Sequence, residues 1–221
     1  MKVSVPMGNN AKENLYVYVD RVRENLGLSK YDTQVNTIEI CAKRILGIDV
    51  LYHQFNTNGF CGFALVGDKR DTVVLNESRS PIERNFDCGH ELIHLLKHRN
   101  EQTTFQCATK SQNSFLEWEA NEGAAQLIVP YQDFIPRFVK LLDAGTKGIE
   151  GMLADYYHVT TQVIDIRIDN LAYEIDQYRY GVCIDHLELL SRRQLQTRGI
   201  SPTQYRAQCA FALDWDSVIR A

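Results

Sequence analysis

The feature that most restricts the fold of this chain is a helix whose start is encoded by three nearby residues. Ser80 can cap the helix with its hydroxyl, Pro81 suits the first helical position, and Glu83 can complete a capping box. These signals predict a helix from about Pro81 to Lys97, which the polar stretch from His98 to Ser114 ends. Any fold of the chain must therefore pack one face of this helix against other elements.

The predicted helix carries the sequence HELIH at residues 90–94, which is typical of zinc sites. Residues four apart share a helix face, so His90 and His94 can both reach one ion at about 2.0 Å. Glu91 lies about 100° further round the helix, where its carboxylate can take a proton from a water at the metal. Histidines of a solvated or core-facing helix surface remain an alternative, because Phe86 gives the side of His90 an apolar character.

A second predicted helix, from about Phe115 to Ile128, offers the third protein ligand that a catalytic zinc ion usually has. Glu117 shares its helix face with apolar residues, whereas Glu119 points about 200° away. Glu117 is therefore favoured as the ligand, and Glu119 is the alternative. Asn121 lies one turn after Glu117, where it can hydrogen-bond a ligand histidine without touching the metal. A carboxylate near a helix start is also stabilised by the helix dipole without any metal.

Three further residues are candidates for the site. His98 extends the face of His90 and His94 by one turn, although a histidine at a helix C-terminus also interacts favourably with the helix dipole. Tyr131 and His158 could donate a hydrogen bond to an oxyanion.

The remaining chain predicts an α+β fold that is mainly helical. Three short stretches, at residues 48–55, 60–66 and 71–77, are rich in β-branched and aromatic residues and are separated by turn formers. We expect them to form a small three-stranded antiparallel meander. Helical periodicity predicts further helices at about 11–26 and 33–46.

After the second ligand-bearing helix, the sequence predicts further helices and a helix-turn-helix-like segment around a turn at His158–Val159. In this segment the second helix is expected to be the longer one. We divide the chain into a metal-binding core at 1–133, a helix-turn-helix-like region at 134–179 and a helical tail of unknown role at 180–221.

The composition favours a protein that stays in the cytoplasm. Hydrophobic residues make up 44% and charged residues 24%, which is ordinary for a soluble globular protein. The sequence contains no transmembrane-length apolar run and no apolar signal-peptide core, and its six cysteines form no CxxC pair. A net charge of −4 gives no general attraction to nucleic acid. We therefore expect no membrane partner and no direct binding of nucleic acid.

These motifs resemble the ImmA/IrrE metallopeptidases of bacteria, mobile elements and phages. The likeness rests on the sequence IERNFDCGHELIHLLKH, on the ExxAN pattern at residues 117–121 and on the helix that ends in LIVP at Pro130. It covers roughly Ile38 to Leu171. Many members have glycine at the position of Ile93 and an aromatic residue at that of Gly123, so we expect altered packing there.

The resemblance implies a zincin-like core in which His90, His94 and Glu117 bind one Zn²⁺ per chain, or another divalent metal. It implies Glu91 as the general base and helix-turn-helix-like helices after the core. It also implies a specific cut in a partner protein, a helix-turn-helix transcriptional repressor. Two alternatives remain open: a non-cleaving module that binds a repressor through the zinc scaffold, and a DNA-binding regulator, against which the acidic residues of the segment at 148–175 argue.

Overall fold

The computed structural model describes residues 10–28, 35–56, 59–101, 104–107, 114–206 and 209, and it confirms the α+β, mainly helical fold class. Its elements in chain order are α1 (Ala11–Asn25), α2 (Thr37–Arg44), β1 (Asp49–His53), β2 (Gly62–Leu65), β3 (Thr72–Asn76), α3 (Pro81–Lys97), β4 (Thr104–Cys107), α4 (Ser114–Ile128), α5 (Tyr131–Asp143), α6 (Ile149–Tyr157), α7 (Thr161–Asn170), α8 (Ala172–Arg179), a 3₁₀ turn (Ile184–His186) and α9 (Arg192–Thr197). Within these ranges, every helix is too short or too polar to cross a lipid bilayer.

The described residues fall into two compact units. The first, which we call the sheet unit, lies within Val19–Pro130 and Ala154–Thr160. The second, the helical unit, lies within Met1–Tyr18, Tyr131–Leu153 and Thr161–Ala221. The three-part division that the sequence suggested remains a proposal.

The prediction of an antiparallel three-stranded meander is wrong. Among the described residues, four strands form one mixed sheet in the order β1-β3-β2-β4. Val50 of β1 pairs with Val73 of β3 in parallel, and Ala64 of β2 pairs with Val73 from the other side in antiparallel orientation. On its free side β2 pairs antiparallel with β4, where Ala64 lies opposite Phe105. The polar stretch after α3 therefore contains a strand that the sequence did not predict.

Burial explains why β3 is the inner partner of β1. In β3 the four consecutive residues from Val73 to Asn76 are buried, which requires cover on both faces, whereas Val50 is the one buried residue of β1. The connection from β1 to β2 is too long for a two-residue hairpin turn that would force these strands to pair. The chain between β1 and β3 is long enough for a parallel crossover.

Helix α3 begins at the predicted residue, Pro81, because its start signals act locally. Ser80 Oγ accepts from the backbone N–H of Glu83 at 3.4 Å, and Glu83 Oε2 accepts from the backbone N–H of Ser80 at 2.9 Å. This is the predicted capping box. Helix α4 is held in place on α1, because Arg23 donates to the carbonyl oxygen of Leu127 and Gln126 donates to Asp20 Oδ1 at 2.9 Å.

Helices α3 and α4 pack closely at Ile93 and Gly123. A Cβ atom at Gly123 would stand 3.0 Å from Ile93 Cγ1, and the Ile93 side chain is fully buried. The isoleucine therefore fills the space that the glycine leaves free. Ile93 and Gly123, the two positions at which altered packing was expected, thus lie against each other.

The helix-turn-helix-like segment consists of α6, a turn at His158–Val159 and α7, as predicted. Its second helix is the longer one, as expected, because α7 has 10 residues and α6 has 9, and α8 begins at Ala172 after α7 ends at Asn170. In the helical unit, part of the tail packs on earlier helices. Tyr205 donates from its hydroxyl to Asp176 Oδ1 of α8 at 2.6 Å, and its ring packs edge-on against Phe138 of α5. Residues 207–208 and 210–221 of the predicted tail, and residues 33–34 of the helix predicted at 33–46, lie outside the described residues.

Candidate metal centre

Helix α3 places His90 and His94 one turn apart in the sheet unit, with both rings almost completely buried. The exposed fractions of the two side chains are 2% and 1%. Their Nε2 atoms lie 3.1 Å apart. The spacing of the motif thus brings two ring nitrogens to one point beneath the surface.

Helix α4 brings Glu117 to the same point. Glu117 Oε2 lies 3.4 Å from His90 Nε2, and Glu117 Oε1 lies 3.5 Å from His94 Nε2. Ligand atoms about 2.0–2.1 Å from one tetrahedral zinc ion lie about 3.3–3.4 Å from each other. The separations therefore suit three ligands of one ion, and this is the one group of metal-ligating side chains found within the described part of the chain. We call these three residues the metal centre.

Asn121 determines which nitrogen of His90 carries the proton. Its Oδ1 lies 3.0 Å from His90 Nδ1 and can only accept a hydrogen bond, so Nδ1–H is the donor. With one proton on the ring, Nε2 turns a lone pair towards Glu117. Acceptors that face each other in a buried place are unfavourable unless a cation lies between them. The donor set therefore fits a metal ion.

The pKa values of the metal centre reflect the same need for positive charge. Burial disfavours the charged imidazole of His90, but the hydrogen bond and the charge of Glu117 outweigh burial and raise the pKa of His90. Burial would raise the pKa of Glu117, yet the two histidines outweigh it and hold that pKa well below its usual range. Burial dominates at His94 and lowers its pKa. A metal ion bound by these three residues would therefore compete with protons for the same atoms.

Glu91 is fully buried beside the metal centre, and neither of its carboxylate oxygens has a hydrogen-bond partner among the described residues. Burial, only partly offset by the charge of His90, raises the pKa of Glu91 to about 8. A buried polar group without a partner costs about 1–3 kcal/mol and a charged one costs more. A cation and a water in the centre would supply the missing partners.

The metal centre opens to solvent on the side of α4. Glu117 retains 21% of its side-chain exposure, and Asn121 is an exposed residue. The buried α3 side of the centre is closed. Two imidazoles, one carboxylate and an open direction form the arrangement found in catalytic zinc sites, which keep one position for water or substrate.

His98 and Glu119, the predicted alternatives, contact each other next to the metal centre. His98 Nδ1 lies 3.0 Å from His94 Nδ1, and His98 Nε2 lies 2.9 Å from Glu119 Oε2. Lys97 Nζ lies 2.9 Å from Glu119 Oε1. Burial alone would raise the pKa of Glu119, but the hydrogen bonds from His98 and Lys97 outweigh it and lower that pKa.

Sequence reasoning considered His98 and Glu119 separately and missed their contact. The four-residue spacing of His94 and His98 is the signal that could have linked these two rings. No local signal links His98 to Glu119, which comes from a different helix.

The other two candidates lie on elements away from α3 and α4 in sequence. Tyr131 opens α5 in the helical unit, where its ring stacks on Tyr16 with ring centroids 5.6 Å apart. His158 occupies the turn before α7, half-buried, with a φ of 51° that few residues other than glycine adopt. Their roles as oxyanion donors remain predictions.

Comparison with known proteins identifies a related family. The sequence profile described as Peptidase_M78, IrrE N-terminal-like domain, matches residues 38–169. No curated protein matches the sequence significantly. Among solved structures, a "Mycobacterium tuberculosis transcriptional regulator" is similar, with a TM-score of 0.51 and 14% sequence identity over 72% of this chain and 47% of that one. The likeness therefore spans less than half of that protein and concerns the fold alone.

Proposed function

Because the chain belongs to the IrrE N-terminal-like family of peptidases, we propose that it is a zinc-dependent endopeptidase that makes one specific cut in a partner repressor. The observation that carries the proposal is the convergence of three ligand atoms beside a buried carboxylate that lacks a partner. A zinc ion fits the donor set better than calcium or magnesium does, since those ions prefer oxygen ligands.

His90 and His94 would hold the ion through Nε2 and Glu117 through its carboxylate. When bound, the zinc ion would lower the pKa of a water in the site towards about 7 and polarise the scissile carbonyl. By accepting from His90 Nδ1–H at 3.0 Å, Asn121 would keep the Nε2 lone pair of His90 available for the ion. The exposed edge formed by Glu117 and Asn121 would admit the substrate.

Glu91 would act as the general base. A carboxylate oxygen accepts the proton of the attacking water and then delivers it to the nitrogen of the leaving amine. The position suits this role because Glu91 is fully buried and has no competing donor among the described residues. The metal would lower the raised pKa of Glu91, so that the carboxylate is ionised when the substrate binds.

A helix-turn-helix repressor is our proposed substrate. Support comes from the resemblance to the ImmA/IrrE family. Direct DNA binding by this chain is the weaker alternative, because the segment around α6 and α7 is rich in acidic residues. The cytoplasmic location remains a prediction from composition.

The first test is the zinc content of the purified full chain. We expect about one zinc per wild-type chain and none in Glu117→Gln, because the site then lacks its anionic ligand. Glu122→Gln is the matched control, since Glu122 is also a buried glutamate of α4 but is not in the metal centre. A wild type that binds no zinc, even when zinc is supplied, would contradict the proposed metal site.

The second test separates cleavage from binding. Zinc-loaded wild type and Glu91→Gln are incubated with helix-turn-helix repressors from the source genome, and the products are measured by intact-mass spectrometry. We expect a single cut by the wild type and a rate at least about 100-fold lower for Glu91→Gln, with zinc retained. Equal cleavage by both would contradict the role of Glu91. A repressor that is bound but never cut would favour the non-cleaving module.

A further inference from the structure

A chain of polar groups runs away from the metal centre on the side of His94. His98 Nδ1 lies 3.0 Å from His94 Nδ1, and His98 Nε2 lies 2.9 Å from Glu119 Oε2. His98 is 2% exposed and Glu119 5%. The contacts are therefore shielded from bulk water, where their strength and direction matter most.

The end of this series that is farthest from the metal centre determines which atom donates in each hydrogen bond. Glu119 stays ionised, because Lys97 Nζ lies 2.9 Å from Oε1, and a carboxylate can only accept hydrogen bonds. His98 Nε2 must therefore be the donor to Glu119. With one proton on its ring, His98 then has a lone pair on Nδ1.

The same reasoning assigns the donor in the next hydrogen bond, which joins His98 to His94 of the metal centre. Because His98 Nδ1 accepts, the proton between the two rings belongs to His94 Nδ1. His94 Nε2 is then left with a lone pair, and this is the atom that lies 3.5 Å from Glu117 Oε1. Glu119, although it does not touch the metal centre, thus influences which nitrogen of His94 is free to bind an ion.

We propose that His98 and Glu119 are positioning residues that hold His94 in the tautomer and orientation needed to bind the metal. The proposal rests on the metal site of the proposed function. It assigns Glu119 a role other than the alternative ligand role, since its carboxylate is directed to His98 and Lys97. His90 is held by the amide of Asn121, whereas His94 is held by a charged carboxylate acting through a second imidazole.

The test measures the zinc dissociation constant of the full chain by competition with a chromophoric chelator. We expect His98→Phe to bind zinc about 10–100-fold more weakly than wild type, because the phenyl ring keeps the packing but accepts no hydrogen bond. His98→Asn should recover most of the affinity, since its Oδ1 stands near the place of the imidazole Nδ1 and accepts from His94. Equal weakening in both variants would overturn the proposal, as would unchanged affinity in His98→Phe.

A comparison of Glu119→Gln with Glu122→Gln isolates the contribution of the Glu119 carboxylate to zinc affinity. Both changes remove a buried carboxylate from α4, and Glu119 Oε2 is the atom that lies 2.9 Å from His98 Nε2. We expect about tenfold weaker zinc binding for Glu119→Gln and a change of less than about twofold for Glu122→Gln. Equal affinities in the two variants would overturn the role of Glu119.

A measurement without metal separates this proposal from the proposed function. Two-bond ¹H–¹⁵N correlations of the metal-free wild type report the tautomer of each histidine ring. We expect the proton of His94 on Nδ1 and that of His98 on Nε2, and the opposite assignment would overturn the proposal whether or not zinc binds. Zinc binding without repressor cleavage would contradict the peptidase and leave the positioning role intact.

Discussion

Both units of the molecule bury charged side chains, but the partners of those charges differ. In the helical unit, Lys12 Nζ lies 2.7 Å from Glu174 Oε1 and donates to the carbonyl oxygen of Asn170 at 2.7 Å, and Leu190 N–H donates to the same Glu174 oxygen. Glu174 Oε2 has no partner among the described residues, yet the adjacent ammonium neutralises the charge. In the sheet unit, the buried carboxylate of Glu91 has no hydrogen-bond donor among the described residues, and the cost of burying it outweighs the favourable charge of His90.

The difference teaches how to distinguish a structural charge from a functional one. A buried ion pair with hydrogen bonds from the backbone is complete, and its removal affects the stability of the fold. A cluster in which lone pairs converge is incomplete, and it gains stability only when a cation arrives. Titratable groups with shifted pKa values in such a cluster are therefore candidates for a functional role rather than for a stabilising one.

The largest expected effect on stability comes from breaking the buried ion pair between Lys12 and Glu174. Lys12→Met leaves Glu174 charged and fully buried, so we expect the free energy of unfolding to fall by about 3–5 kcal/mol, measured by urea denaturation. The double variant Lys12→Met/Glu174→Leu should recover most of this loss, since it removes both charges. Zinc affinity should be unchanged in the folded double variant. A loss below about 1 kcal/mol in Lys12→Met would show that the pair is not structural.

Adding zinc tests whether the metal centre gains stability when a cation binds. Zinc at about 100 times its dissociation constant should raise the free energy of unfolding of the wild type by about 2.7 kcal/mol, and a chelator should reverse the effect. The double variant of Lys12 and Glu174 should gain the same amount. Glu117→Gln should gain nothing at that zinc concentration. Stabilisation that survives in Glu117→Gln would place the bound metal elsewhere.

Glu91 also predicts a pH dependence for the metal-free chain. Burial raises its pKa from the ordinary 4.5 to about 8, so the folded chain holds this proton more tightly than the unfolded chain. Stability from this group is therefore present at low pH and falls as pH rises from about 4.5 to about 8, by up to about 1.4 kcal/mol per pH unit. We expect the free energy of unfolding of wild type, relative to Glu91→Gln, to fall over this range. A constant difference would contradict the raised pKa.

The sequence predicted local features well. The start of α3 was predictable because Ser80, Pro81 and Glu83 act on backbone groups a few residues away. The approach of His90 to His94 followed from helical spacing, and the helix face chosen for Glu117 is the one that meets them.

Pairing over longer distances was not predictable. The sequence of β1 alone does not determine that β1 pairs with β3 rather than with β2. The pairing depends on which of those strands must be covered on both faces. The contact of Glu119 with His98 has the same origin. Its partner is chosen by the packing of α3 on α4, which no short stretch of either helix encodes.

The smallest expected effect concerns the packing that holds those two helices together. Gly123→Ala gains about 1 kcal/mol of helix propensity, but overpacking in a filled core costs about 1–3 kcal/mol. The new Cβ would stand 3.0, 3.2 and 3.3 Å from three atoms of the buried, β-branched Ile93, which has little freedom to move. We therefore expect a net destabilisation of about 1 kcal/mol in thermal unfolding of the metal-free chain. In an Ile93→Ala background those three atoms are gone, and the same change at Gly123 should become stabilising. If Gly123→Ala changes the stability with the same sign in both backgrounds, the contact between Ile93 and Gly123 does not set the approach of α3 to α4. The predicted reversal of sign would instead separate the effect of this packing from the electrostatics of the metal centre.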